Sequence, residues 1–254
     1  MFRYGGYDDK SQDGINIHTL GDEKRNSTVE RLTNNETPTT GYATSELRNP
    51  HVYEGMEMEQ DRLQKQLAFI VEIDKVKRVQ RQTVLTDGSR LENDAEHSWH
   101  IAVMALLLRE YAKGTDIDIL RVVTMVLIHD LVEIDAGDTY CYDDQAVANQ
   151  RQREKSAAER IFTILPPDQA EEFRALWDEF ESRSTPESRF AAALDRLQPL
   201  LHNYTTEGLM WQKHGIRKQQ VVRRNQFIED GAPLLWRYAA ALIDDAVRQG
   251  FLDQ

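Results

Sequence analysis

The sequence predicts an all-α protein, a single helical bundle, and three observations carry that reading. From Met58 onward apolar residues recur at three- and four-residue spacing. Prolines and capping residues stand where helices would begin. No segment of useful length alternates apolar and polar residues as a half-buried strand would.

The elements follow in order. Residues 1–57 hold 15 apolar residues, about a quarter, and no sustained period. That composition reads as a disordered extension, or as sequence upstream of a true start at Met56 or Met58. The ordered domain is expected over 58–254. A first helix is predicted over 59–80 from Leu63, Leu67, Ile70, Val71, Asp74 and Lys77. Thr86-Asp87-Gly88-Ser89 is a turn. Asn93 then opens a helix, with Glu96 three residues later completing a capping box. That helix runs through Ile101–Leu108 and stops before Gly114. A third is predicted over 117–134, and others over 144–164, 168–182, 186–203, 217–229 and 233–249, without internal repeat.

Bulk properties exclude some functions. A net charge of −12 argues against a nucleic-acid partner, because polyanion binding needs clustered Lys and Arg. It leaves room for a small anion, since a bound divalent cation reverses the local field. One cysteine, Cys141, allows no internal disulfide and suits a reducing compartment. With neither a signal-peptide pattern nor a membrane-length apolar run, the expected location is the cytoplasm.

The chemistry concentrates in the third helix. Val122–Ile128 is uncharged and apolar except for Thr124, which implies burial nearly all round, and His129, Asp130 and Glu133 follow directly. A buried carboxylate is costly unless paired or metal-bound. For a lone His-Asp pair, an arginine or backbone N–H is the ordinary answer. His97 shifts that balance. It lies on the line of Ile101, Ala105 and Leu108 and so faces the core, which gives two imidazoles and a carboxylate suited to a borderline divalent ion. His100 points elsewhere and reads as structural.

Glu96-His97-Ser98, Ile128-His129-Asp130, Glu133, Gly137-Asp138 and Leu194-Asp195, in that order, resemble the HD-domain phosphohydrolases, nearest the 5′-deoxynucleotidases of bacteria and their eukaryotic relatives. The resemblance covers roughly residues 60–205. It implies an HD-type helical domain holding one divalent ion, Mn, Co, Fe, Ni or Zn, on His97, His129, Asp130 and Asp195. Asp195 by itself would read as a surface partner of Arg196. Glu133 would orient or deprotonate the attacking water, although a helix-end carboxylate in solvent is the plainer alternative. Asp138 would face the substrate.

The resemblance also places Arg78, within Lys77-Arg78-Val79-Gln80-Arg81, against the substrate, with Lys77 and Arg81 beside it; a solvated basic helix end is the competing view. Relatives carry an aromatic after that arginine, whereas Val79 stands here, so the choice between ribose and deoxyribose stays open. HD proteins with two metals need further histidines between the His-Asp pair and the last Asp, and none lies between Asp130 and Asp195. The expected function is hydrolysis of a nucleoside 5′-monophosphate to nucleoside and phosphate. Other phosphate esters, nucleoside polyphosphates and non-catalytic nucleotide sensing are the alternatives. The resemblance is compatible with a homodimer.

Overall fold

A computed structural model describes residues 50–114, 116–138, 142 and 144–254, with side chains from Met58 on and not for 144–148. The extension expected over 1–57 therefore lies largely outside the described residues. Helix α1, Pro50–Ile73, begins eight residues before the change in composition at 58. Its apolar row is not the buried one. Leu63, Leu67, Ile70 and Val71 are all more than half exposed, whereas Phe69 is buried. What ties α1 down is largely polar: Arg62 forks onto Asp168 at 2.6 and 2.9 Å, and Gln66 donates to Gln169 at 2.9 Å. A bidentate guanidinium–carboxylate pair fixes orientation as well as distance.

The first helix was expected to continue to 80, and here the structure corrects the sequence. The chain tightens into a 3₁₀ turn, Asp74–Arg78, and then extends as β1, Gln80–Val84, antiparallel to β2, Leu91–Asn93. The turn between them is the one expected at 86–89. Gly88 takes φ +70°, Leu85 N–H donates to Arg90 O at 2.9 Å, and Ser89 N–H donates to Asp87 Oδ1. The hairpin escaped the sequence because both strands are short and β1 is mostly polar. It does not alter the helical class.

Asn93 ends β2 and caps α2, Asp94–Leu108. Its side chain accepts from Glu96 N–H at 3.0 Å and Glu96 reaches back to Asn93 N–H at 3.1 Å, the reciprocal box that the sequence shows. Helix α3, Ile119–Ile128, does not run on to 134. It tightens to 3₁₀ geometry over His129–Val132 and resumes as α4, Glu133–Ala136, which Gly137 terminates at φ +73°. A tightened stretch inside a helical run often marks a functional site, because it re-aims side chains.

Helices α5, Asp144–Phe162, and α6, Pro167–Ser182, follow as expected. Thr185, with Pro186 at the first helical position, starts α7, Pro186–Thr205. A short α8, Leu209–Lys213, was not foreseen; α9, Lys218–Asn225, α10, Ile228–Gly231, and α11, Pro233–Gln249, complete the described order. The core sits where α7 passes α2 and α3. Ile101, Ala105, Val122, Met125, Val126, Phe190, Ala191 and Leu194 are wholly buried there. Among the described residues no helix is long and apolar enough to cross a membrane.

Candidate metal centre

Three helical segments bring the expected ligands together. His97 comes from the first turn of α2, His129 and Asp130 from the tightened turn after α3, and Asp195 from the middle of α7. All four are buried. His97 Nε2 lies 3.1 Å and His129 Nε2 lies 3.7 Å from Asp195 Oδ1. Asp130 Oδ1 is 3.1 Å from His129 Nε2, and Asp130 Oδ2 is 4.0 Å from His97 Nε2. Ligand atoms of His97, His129 and Asp195 fall within 4.8 Å of one another.

The tautomers decide what this cluster is for. His129 Nδ1 is 2.9 Å from the carbonyl oxygen of Val126, and His97 Nδ1 is 3.1 Å from Gln198 Oε1. Both neighbours only accept, so each Nδ1 carries the proton and donates it. In the neutral form each Nε2 then turns a lone pair towards carboxylate oxygen. His129 Nε2 is buried without a hydrogen-bond partner. Lone pairs converging on carboxylates need a cation between them, and imidazoles anchored through Nδ1–H are the usual form of metal-ligating histidine. The residues fit a divalent ion.

The electrostatics mark the same place for positive charge. Burial opposes charge on His129, yet the carboxylates of Asp130 and Asp195 outweigh it and raise this imidazole to about 10, so without a cation a proton holds Nε2, and a bound metal would displace it. At His97 burial wins, helped by Arg81, and the imidazole falls to about 4. Burial also works against Asp195, but Arg196 and the two histidines hold its carboxyl well below the usual range.

Arg81 departs from its expected role. Its guanidinium reaches in from β1 and donates to Asp130 Oδ2 at 2.7 Å and to Asp94 Oδ1 at 3.2 Å. It fixes the outer oxygen of a ligand while still lining the cavity. Lys77 and Arg78, which precede the strand, are exposed and do not line that cavity, nor does Val79. Lys77 pairs with Asp74 instead. The reason is the change of element at residue 79: a strand turns Arg81 inward and leaves Arg78 outside.

The cavity beside the centre measures about 310 Å³. Glu133 and Asp138 are on its wall, as are Arg183, Arg196, Trp211 and Asn225. Glu133 is buried and pushed well above the ordinary carboxyl range by burial and by Asp130 and Asp94. Asp94, fully buried, is raised to about 7 by burial and Asp130. Asp94 and Glu133 are close enough for each to influence the other's charge. Burial likewise raises Asp138. Asp94, Arg183, Arg196 and Gln198 were not singled out in the sequence. Asp94 reads as an ordinary first-turn acid, and the arginines as surface charge.

Residues 73–236 match the model of the family described as HD domain. A curated 5′-deoxynucleotidase of Homo sapiens is 31% identical over 144 residues, 56% of this chain and 69% of that protein. Its counterpart from Dictyostelium discoideum is 28% identical over 146 residues, 56% of this chain and 77% of that one. A crystal structure of a predicted metal-dependent phosphohydrolase from Magnetospirillum magnetotacticum MS-1 is 56% identical, with a TM-score of 0.74. It spans 77% of this chain and 98% of its own.

Proposed function

The chain belongs to the HD-domain family and is a hydrolase, and on that footing we propose that it is a single-metal phosphomonoesterase acting on nucleoside 5′-monophosphates. The observation that carries the reading is the convergence of two Nε2 lone pairs and Asp195 at the foot of a cavity whose wall holds Glu133. A divalent ion on His97, His129, Asp130 and Asp195 would act as Lewis acid and lower the pKa of a bound water towards neutrality.

The remaining steps belong to the chain. Glu133, ionised once a cation balances the carboxylates of Asp130 and Asp94 around it, takes the proton of the attacking water. Asp138, on the same wall, supplies a proton to the departing 5′ oxygen of the sugar. Arg183, on the cavity wall, neutralises the phosphoryl oxygens, a task for which Arg81, committed to Asp94 and Asp130, is not free, and Arg196, paired with Asp195 at 3.2 Å, adds positive charge beside it. The curated relatives named as 5′-deoxynucleotidases support the nucleotide substrate. A buried base beside the water favours turnover over sensing, because binding alone needs none.

Phosphate release tests this. Ribo- and deoxyribonucleoside monophosphates should turn over with added Mn²⁺, Co²⁺ or Zn²⁺, above nucleoside triphosphates and sugar phosphates. Release from the triphosphates alone would overturn the monoester assignment.

Arg183 gives a sharper test. It ends α6 at φ +51°, where glycine is the usual residue, and its charge is opposed by burial and by Arg196. Arg183→Gly should therefore raise the melting temperature by roughly 2 °C while raising KM about tenfold. A lower melting temperature with unchanged KM would remove Arg183 from the site.

A homodimer belongs to the same reading. Trp99, Val103, Leu106 and Leu107 form an exposed apolar row on α2, and a second copy would cover it. Light scattering should give twice the 29.4 kDa chain mass; a monomer at micromolar concentration would refute this.

A further inference from the structure

Behind His97 lies a second cluster of metal-ligand type. Glu92, from β2, His100, from α2, and His202, from α7, bring one ligand atom each within 4.8 Å of the others. Glu92 and His202 are buried and His100 partly so. By residue type this could be a second cation site, and the mechanism above makes no use of it.

Its middle is filled by an amide. Gln198 Nε2 lies 2.6 Å from Glu92 Oε1, 3.0 Å from His202 Nε2 and 3.3 Å from His100 Nδ1. His202 donates its Nδ1 proton to the carbonyl oxygen of Val84 at 2.9 Å, so its Nε2 is an acceptor. A carboxylate oxygen also only accepts, which puts the nitrogen of the Gln198 amide on this side. Its oxygen then faces His97 Nδ1, at 3.1 Å. A single wholly buried side chain thus separates the two clusters.

We infer that Gln198 keeps the centre mononuclear: its oxygen holds His97 with Nε2 towards the first metal, and its nitrogen occupies the place that a second ion would take among Glu92, His100 and His202. The amide supplies two N–H groups to the acceptors that a cation would otherwise attract. Gln198 is a positioning residue and does not touch the substrate. The inference rests on the metal-centre reading, and it adds a latent site beside that centre.

The test is metal stoichiometry in the intact protein. After loading with Co²⁺ or Zn²⁺ and dialysis, the wild-type chain should retain one ion. Gln198→Ala should retain two, with first-site affinity weakened roughly 10- to 100-fold by loss of the partner that orients His97. Adding His202→Ala to that variant should remove the second ion. Gln198→Met fills the space without donors or acceptors, so it should show the weakened first site and no second ion. It also separates loss of fold from loss of positioning, since its circular dichroism and melting curve report whether the chain still folds.

Two ions in the wild type, or one in Gln198→Ala with undiminished affinity, would overturn the inference and leave the phosphomonoesterase reading standing. No ion retained by the wild type would overturn both. Phosphate release with a single ion and no response to Gln198 substitution would sink only the role of Gln198.

Discussion

Asp195→Ala should abolish retained metal and phosphate release together. Its Oδ1 lies within reach of both imidazoles, 3.1 Å from His97 Nε2 and 3.7 Å from His129 Nε2. Without it the two lone pairs face each other with Asp130 alone to balance a dication. Metal content measured after dialysis should drop to background. Melting temperature supplies an independent reading. A ligand bound only by the folded state adds stability that grows with the logarithm of its concentration. The wild-type transition should therefore climb with added metal, and the variant's should stay put. Without metal, the variant should melt below the wild type, because Arg196 and the imidazoles lose the buried carboxylate that pairs them. His129→Ala should behave alike. Full metal content in either variant would show that the ligand set is wrong.

The second large effect is expected at Glu133. Glu133→Gln keeps size and hydrogen-bonding reach. What it loses is the capacity to take a proton. Turnover should fall by roughly 10²-fold, the ordinary scale for a general base, with KM and metal content near wild type. That division is informative: a residue needed only for packing would lower the melting temperature, and one needed for binding would move KM. An unchanged kcat would assign the proton to another acceptor, for which Asp138 on the same cavity wall is a candidate.

Much of this architecture was legible in the sequence, and what was not has identifiable causes. Helices α2, α5, α6, α7 and α11 follow from 3.6-residue periodicity, from the Asn93–Glu96 box and from Pro167, Pro186 and Pro233 at helix starts, whereas α8, the tightened turn after α3 and the division of 217–229 into α9 and α10 were not legible. The hairpin was hidden because Gln80–Val84 is short and polar, and its partner has only three residues. The apolar row of α1 signals a helix correctly but names the wrong face, since periodicity carries no information about which side meets a neighbour.

At the site, His97 and the His-Asp pair announce themselves by lying on apolar helix faces. Asp195 does not, because Arg196 beside it gives an ordinary explanation, and the family resemblance alone drew attention to it. Arg78 and Arg81 differ by three residues, and only the shift from 3₁₀ turn to strand decides which reaches inward. Gln198 had no signal at all: a glutamine on a buried helix face acquires meaning only from the groups around it, which come from residues about a hundred positions away.

Trp177 donates its indole N–H to the main-chain carbonyl of His129 at 3.2 Å, and its ring is buried. The chromophore is thereby wired to the backbone of a candidate ligand, whereas Trp211 lines the cavity where the nucleotide would lie. Intrinsic emission can thus serve as an unlabelled gauge with two scales. Ions with unpaired electrons, such as Co²⁺, should dim Trp177 as the centre fills, while closed-shell Zn²⁺ fills it without that loss. A nucleotide added afterwards should register chiefly at Trp211. Occupancy of the centre and of the cavity can then be followed separately in one cuvette, before any bond is broken.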